Sequence, residues 1–117
     1  MLGLRWSTLE SIVPRRAARV DHNHAEIIRA LRAVGAEVTD TSRVGEGFPD
    51  LVVSYRNKWF VIEVKDGRKP PSAQRLTKAQ GTWMRRQRAS VWVVNSVEDA
   101  LAAIGAVSDS GVWRKVL

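Results

Sequence analysis

Two short segments rich in β-branched and aromatic residues, 51–55 and 58–65, are separated only by Arg56-Asn57. A two-residue connection suits a tight turn between antiparallel strands, so the two segments are expected to form a hairpin. That hairpin fixes much else, because strand side chains alternate between the two faces of a sheet. In WFVIEVK, Phe60, Ile62 and Val64 fall on one face, and Val61, Glu63 and Lys65 on the other. One face is wholly apolar and needs a covering layer. The other brings a carboxylate and an ammonium together.

The flanking sequence supplies the cover. Ile27, Ile28, Leu31 and Val34 recur at helical spacing within residues 22–34, with Asp21 or Asn23 available as a cap and Gly35 just past the end. Residues 36–41 are β-prone. Residues 42–49 form a loop whose flexible points are Gly45 and Gly47. Beyond the hairpin, Pro70-Pro71 makes 66–76 an extended loop. Thr77 and Gln80 then form a capping-box pattern that opens a helix through Trp83, Met84 and Gln87. Residues 91–94 are a short apolar strand, and Ser96 with Asp99 opens a helix through Ala100, Leu101 and Ile104 that Gly105 ends. The expected order is α-β-β-β-α-β-α. This is an α/β chain with a mixed central β-sheet flanked by helices, and residues 112–117 have no place in it. Trp59, Trp83 and Trp92 are expected in the core.

At 117 residues and 44% hydrophobic content the chain has material for one domain with a real core. It has no cysteine, which excludes disulfides and thiolate metal sites, and its two histidines, in the run His22-Asn23-His24, lack the further ligands of a zinc-type centre. Gly45-Glu46-Gly47 is not followed by the Lys-Ser/Thr of a phosphate loop. No apolar run approaches the ~20 residues that span a bilayer, so no membrane association and a cytoplasmic location are expected. Of the net charge of +7, residues 66–88 carry +6: Arg68, Lys69, Arg75, Lys78, Arg85, Arg86 and Arg88 stand against Asp66 alone. A polyanion is the natural counterpart, with Arg68, Lys69, Arg75 and Lys78 as the candidate nucleic-acid-binding residues.

Asp50 stands at the mouth of one hairpin strand and Glu63 on its partner, thirteen positions later. Hard divalent cations need carboxylate oxygens converging from rigid supports, which a hairpin provides. Lys65, on the Glu63 face, could orient an attacking water and offset charge on a phosphoryl group. Singly, each residue has a plainer reading: Asp50 as a turn cap, Glu63 and Lys65 as a paired surface. Their combination, followed at once by the most basic stretch of the chain, favours phosphodiester hydrolysis.

The text GFPDLVV, IEVKDG and LTKAQGTW, within a region from about Val20 to Ile104, resembles the PD-(D/E)xK nucleases. The resemblance is closest to their small VRR-NUC branch, related to Holliday junction resolvases. It implies a restriction-endonuclease-like core, with a nuclease domain over 21–117 behind a basic N-terminal segment, 1–20. Asp50 and Glu63 would be metal ligands with the carbonyl of Val64, and Lys65 the catalytic lysine. Gln80 matches the helix glutamine of the family, and Glu26 a glutamate that many members add from the first helix, although Asn23 is an alternative there. The implied cofactor is Mg²⁺, with Mn²⁺ able to substitute. The implied partner is DNA, including branched DNA, and a phage-encoded protein acting in a host cytoplasm fits the same family. A homodimer is also implied, with Trp6 and Trp113 in the terminal segments as contacts. Two rival readings stand beside this one: a catalytically inactive DNA-binding or assembly module of the same fold, and an RNA-binding protein suggested by charge alone.

Overall fold

The computed structural model describes residues 23–107 and the backbone of residues 114–116. Helix α1 (His24–Ala33) leads into β1 (Glu37–Asp40), β2 (Leu51–Tyr55) and β3 (Lys58–Val64). A single 3-10 turn (Pro71–Gln74) precedes α2 (Lys78–Arg86), β4 (Val91–Val94), α3 (Val97–Ala103) and β5 (Arg114–Val116). The chain is thus α/β, with a mixed five-stranded sheet in the order β1-β2-β3-β4-β5. All neighbouring strands are antiparallel except β3 and β4. The parallel pair requires a crossover, which the basic loop and α2 provide.

The hairpin forms as its turn chemistry demands: Arg56 and Asn57 both take left-handed φ values, 49° and 67°. Leu51, Val53, Ile62, Val64 and Val94 bury one face of the sheet against Ile27, Ile28 and Leu31 of α1 and Ala100 and Ala103 of α3. Burying each larger aliphatic side chain of this set contributes about 1.5–3 kcal/mol. The capping expectations hold for α2 and α3, whereas Asn23 stands at the start of α1 without a side-chain cap bond. Thr77 and Gln80 form a complete capping box, and Ser96 accepts from the backbone N–H of Asp99. Gly35 ends α1 at φ 98°.

Three expectations are corrected. Trp59 is not core: it is 76% exposed, because the sheet face it shares with Glu63 has no helical cover at the hairpin tip. Pro71 does not keep 66–76 wholly extended, since proline is compatible with the first position of a 3-10 turn. Residues 114–116, left without a place by the sequence reading, form the edge strand β5 on β4. Segment 1–20, Trp6 and Trp113 lie outside the described residues. Among the described residues no helix is long and apolar enough to cross a membrane.

Candidate active site

The register of the hairpin pairs Leu51 with Ile62, and Asp50 lies one step beyond that pair, level with Glu63. The ladder opens at this point. Instead of bonding to β2 backbone, the N–H of Val64 donates to Asp50 Oδ2 at 2.9 Å. Strand β1 holds the departing segment from its other side, since Thr41 donates to Asp50 O through its N–H (2.7 Å) and to Pro49 O through its hydroxyl (2.7 Å). The Asp50 carboxylate is therefore wedged between diverging strands with little freedom.

Glu63 is the most buried acid of the set, at 1% exposure. Its Oε2 accepts from Gln80 Nε2 at 2.7 Å and lies 3.6 Å from Lys65 Nζ. Lys65 Nζ in turn donates to Gln80 Oε1 at 2.9 Å. An ammonium cannot accept a hydrogen bond, so the orientation of the Gln80 amide is determined. The same Oε1 also accepts from the Thr77 N–H at 2.9 Å. Gln80 therefore serves both as N3 of a capping box and as the bridge between Glu63 and Lys65. An expected placement is thus found, with the two roles held by one side chain.

The electrostatics follow from burial. Desolvation, reinforced by the charge of Asp50 and only partly offset by Lys65, pushes the Glu63 carboxyl up to about 8. Burial also raises Asp50, against the lowering effect of the Val64 N–H and the charge of His24. Two carboxyl groups this close cannot both ionise cheaply without a cation between them. Glu63 Oε1 is buried and receives no hydrogen bond within the described residues. The pair thus has acceptor oxygens to offer and a proton to give up, which fits a hard divalent ion. Among the described residues no cluster of three or more acidic, histidine or cysteine side chains is present, so such an ion would rest on Asp50, Glu63 and backbone oxygen such as the Val64 carbonyl.

Glu26 is not brought to this site. It is exposed and lines a separate cleft of about 440 Å³ with Asp66, Arg68 and Glu98. Asn23 turns inward instead and is buried. Its amide donates to Lys65 O at 3.2 Å and Asn95 O at 3.1 Å, tying the ends of β3 and β4 together rather than capping α1. His24 is also buried, with Nε2 3.2 Å from Asp40 Oδ2, an ion-pair distance without hydrogen-bond geometry. Of the basic residues, Arg68 pairs with Asp66 at 3.3 Å, and the Arg68 backbone N–H holds the Asp66 carboxyl below its ordinary range. Arg68, Lys69, Arg75 and Lys78 are all exposed. Gln74 fastens their loop by donating to Lys69 O at 2.6 Å.

Sequence reasoning missed one contributor. Gly47 is more than a flexible point, because its α-carbon abuts the first turn of α2: a Cβ there would collide with the carbonyl of Ala79 and come within 2.9 Å of the Gln80 nitrogen. Beside it, Phe48 packs edge-on against Trp83 with ring centroids 5.0 Å apart. The signal was present in GEGFPD, where a glycine two residues before the proline marks a close backbone approach as readily as a hinge. Comparison of the chain with protein-family models, with curated proteins and with solved structures returned no match.

Proposed function

We propose that the chain is a metal-dependent DNA endonuclease of the PD-(D/E)xK type, with a restriction-endonuclease-like core. The observation that carries the reading is that the single side chain of Gln80 joins Glu63 to Lys65 while the Val64 N–H fixes the Asp50 carboxylate beside them. A surface ion pair needs no such bridge, and a merely structural site gains nothing from a buried Glu63 carboxyl set against the half-buried Asp50 carboxyl that repels it.

Mg²⁺ or Mn²⁺, held by Asp50, Glu63 and the Val64 carbonyl, would supply Lewis acidity toward a phosphodiester. Around it the residues divide the work. Gln80 and the Thr77 cap keep Glu63 and Lys65 in register. Lys65, buried at 8% exposure and held by Gln80, would orient an attacking water and offset the charge that develops on phosphorus. The exposed cations Arg68, Lys69, Arg75 and Lys78 supply backbone contacts that position DNA without reading sequence.

The test is cleavage of linear, single-stranded, nicked and four-way-junction DNA with Mg²⁺, Mn²⁺ or EDTA. Metal-dependent cutting is expected, with Asp50→Ala and Glu63→Ala each abolishing it while DNA binding persists. Binding with no cutting on any substrate would favour the inactive-module reading, and near wild-type cutting by either variant would remove that residue from the site.

A further inference from the structure

The sheet face that carries the trio does not end at Glu63. Alternation along β3 puts Trp59 and Val61 on that same face, and the register brings Val52 and Ser54 of β2 alongside them. Helices α1 and α3 pack against the opposite face. At the trio end the face is roofed by α2 and the loop that precedes Asp50. Toward the hairpin tip it opens: Val52, Ser54 and Val61 are half-buried, and Trp59 is 76% exposed.

Around Trp59 the surface is built for more than solvent. Trp59, Ser54, Arg56, Asn57 and Lys58, with the single acid Glu37, line a hollow of about 390 Å³, a volume in the range of small-ligand sites. Arg56 and Lys58 line the same hollow at the hairpin tip. Alternation starts Lys58 on the opposite face from Trp59, and the Arg56 guanidinium is held over the Tyr55 ring, 5.0 Å from its centroid, so both reach the hollow around the tip. A large exposed indole beside two cations is the combination that stacks a base while pairing its phosphates. A duplex cannot use it fully, because its base faces are already stacked. The four residues from Glu63 to Trp59 span about 13 Å along the strand, within reach of the same extended polynucleotide.

We propose that the open sheet face around Trp59 is a binding site for an unpaired stretch of DNA adjoining the cleavage position, with a base stacked on Trp59 and its phosphates met by Arg56 and Lys58. This deepens the nuclease reading and rests on it for the identity of the polymer. It makes the preferred substrate one that offers single strand next to duplex, as flaps, tails and junction arms do.

The test is binding measured in EDTA, where no cutting occurs, so its outcome is independent of catalysis. Fluorescence anisotropy with labelled single-stranded DNA, tailed duplex and blunt duplex compares the unaltered protein with Trp59→Ala and Trp59→Phe. The alanine variant should lose about 5- to 100-fold in affinity for single-stranded and tailed DNA, with a much smaller loss on blunt duplex. Phenylalanine, which keeps a stacking face, should restore most of it. Thermal melting of both variants confirms that the exposed position leaves the fold intact. Equal losses on all three DNAs, or no loss on any, would overturn the inference, as would a halving of the molecular mass of Trp59→Ala in light scattering, which would assign the face to a second copy of the chain. Failure of the nuclease reading would show differently, as absence of metal-dependent cutting with stacking retained.

Discussion

Burial and the neighbouring Asp50 charge push the Glu63 carboxyl well above the ordinary glutamate range, and this has a measurable sign. The folded-state value of about 8 lies above the ordinary glutamate value of 4.5, so between these two pH values the folded chain binds more protons than the unfolded one. The contribution of Glu63 to stability in EDTA should therefore be fully present below 4.5 and be lost as pH rises toward about 8, with Asp50 shifted in the same direction. Adding Mg²⁺ should reverse the trend, because the cation replaces the proton and stabilises the folded state more at higher pH. Thermal melting across this window, with and without Mg²⁺, measures both slopes. Glu63→Gln should flatten the EDTA profile, remove the Mg²⁺ response and abolish cleavage. A wild-type profile that rises with pH in EDTA would mean that Glu63 is ionised beside Asp50 without a cation. At this scale the trio was legible because PD and ExK fix spacing across a hairpin. Glu26 was not placed correctly at the site because sequence alone does not fix the phase of a helix at its start, which leaves its neighbours equally eligible. The deciding fact is that the Asn23 amide reaches two strand-end carbonyls, a long-range contact that no local pattern encodes.

Among the elements, α2 matters most to the site, and its position depends on the loop it rests against. Gly47 has φ 83° and no room for a Cβ against Ala79, whereas Gly35 has φ 98° and open space around it. The two glycines therefore separate backbone strain from steric contact. Gly35→Ala should cost about 1–2 kcal/mol, the penalty for a left-handed alanine, and leave cleavage intact. Gly47→Ala carries the same penalty plus a clash with backbone that cannot yield without shifting the first turn of α2, and Gln80 with it. Its cleavage rate should fall about 10- to 100-fold, in the range seen when groups that orient metal ligands are disturbed. Equal activity in the two variants would show that α2 is positioned by something other than this contact. Hairpin, caps and helix periods were legible because they are local. Exposure of Trp59 was not, since whether a strand face is covered depends on where a distant helix lands, and α1 and α3 both chose the other face.

For the whole molecule, the open question is whether one chain suffices. A domain of 13.1 kDa presents a limited footprint to DNA, and its candidate DNA-contacting cations lie along one loop, the start of α2 and one hairpin tip. A two-fold axis would double both surfaces and set two cutting sites against two strands, the geometry that a duplex or a four-way junction itself possesses. The sheet offers means of association, since β1 and β5 are its two edge strands. The terminal sequences add apolar material, Leu2, Leu4 and Trp6 at one end and Val112, Trp113, Val116 and Leu117 at the other. Left in water these residues would make an adhesive surface, whereas buried between copies they would stabilise a dimer. Light scattering coupled to size exclusion, at several protein concentrations and moderate salt, should therefore return about twice the chain mass of 13.1 kDa. Removal of residues 1–20 should shift that mass toward the monomer and uncouple the two cuts, so that nicked products accumulate before linear ones. A monomer in the full-length chain, at the concentrations where duplex DNA is cut on both strands together, would defeat the dimer and require one site to visit both strands in turn.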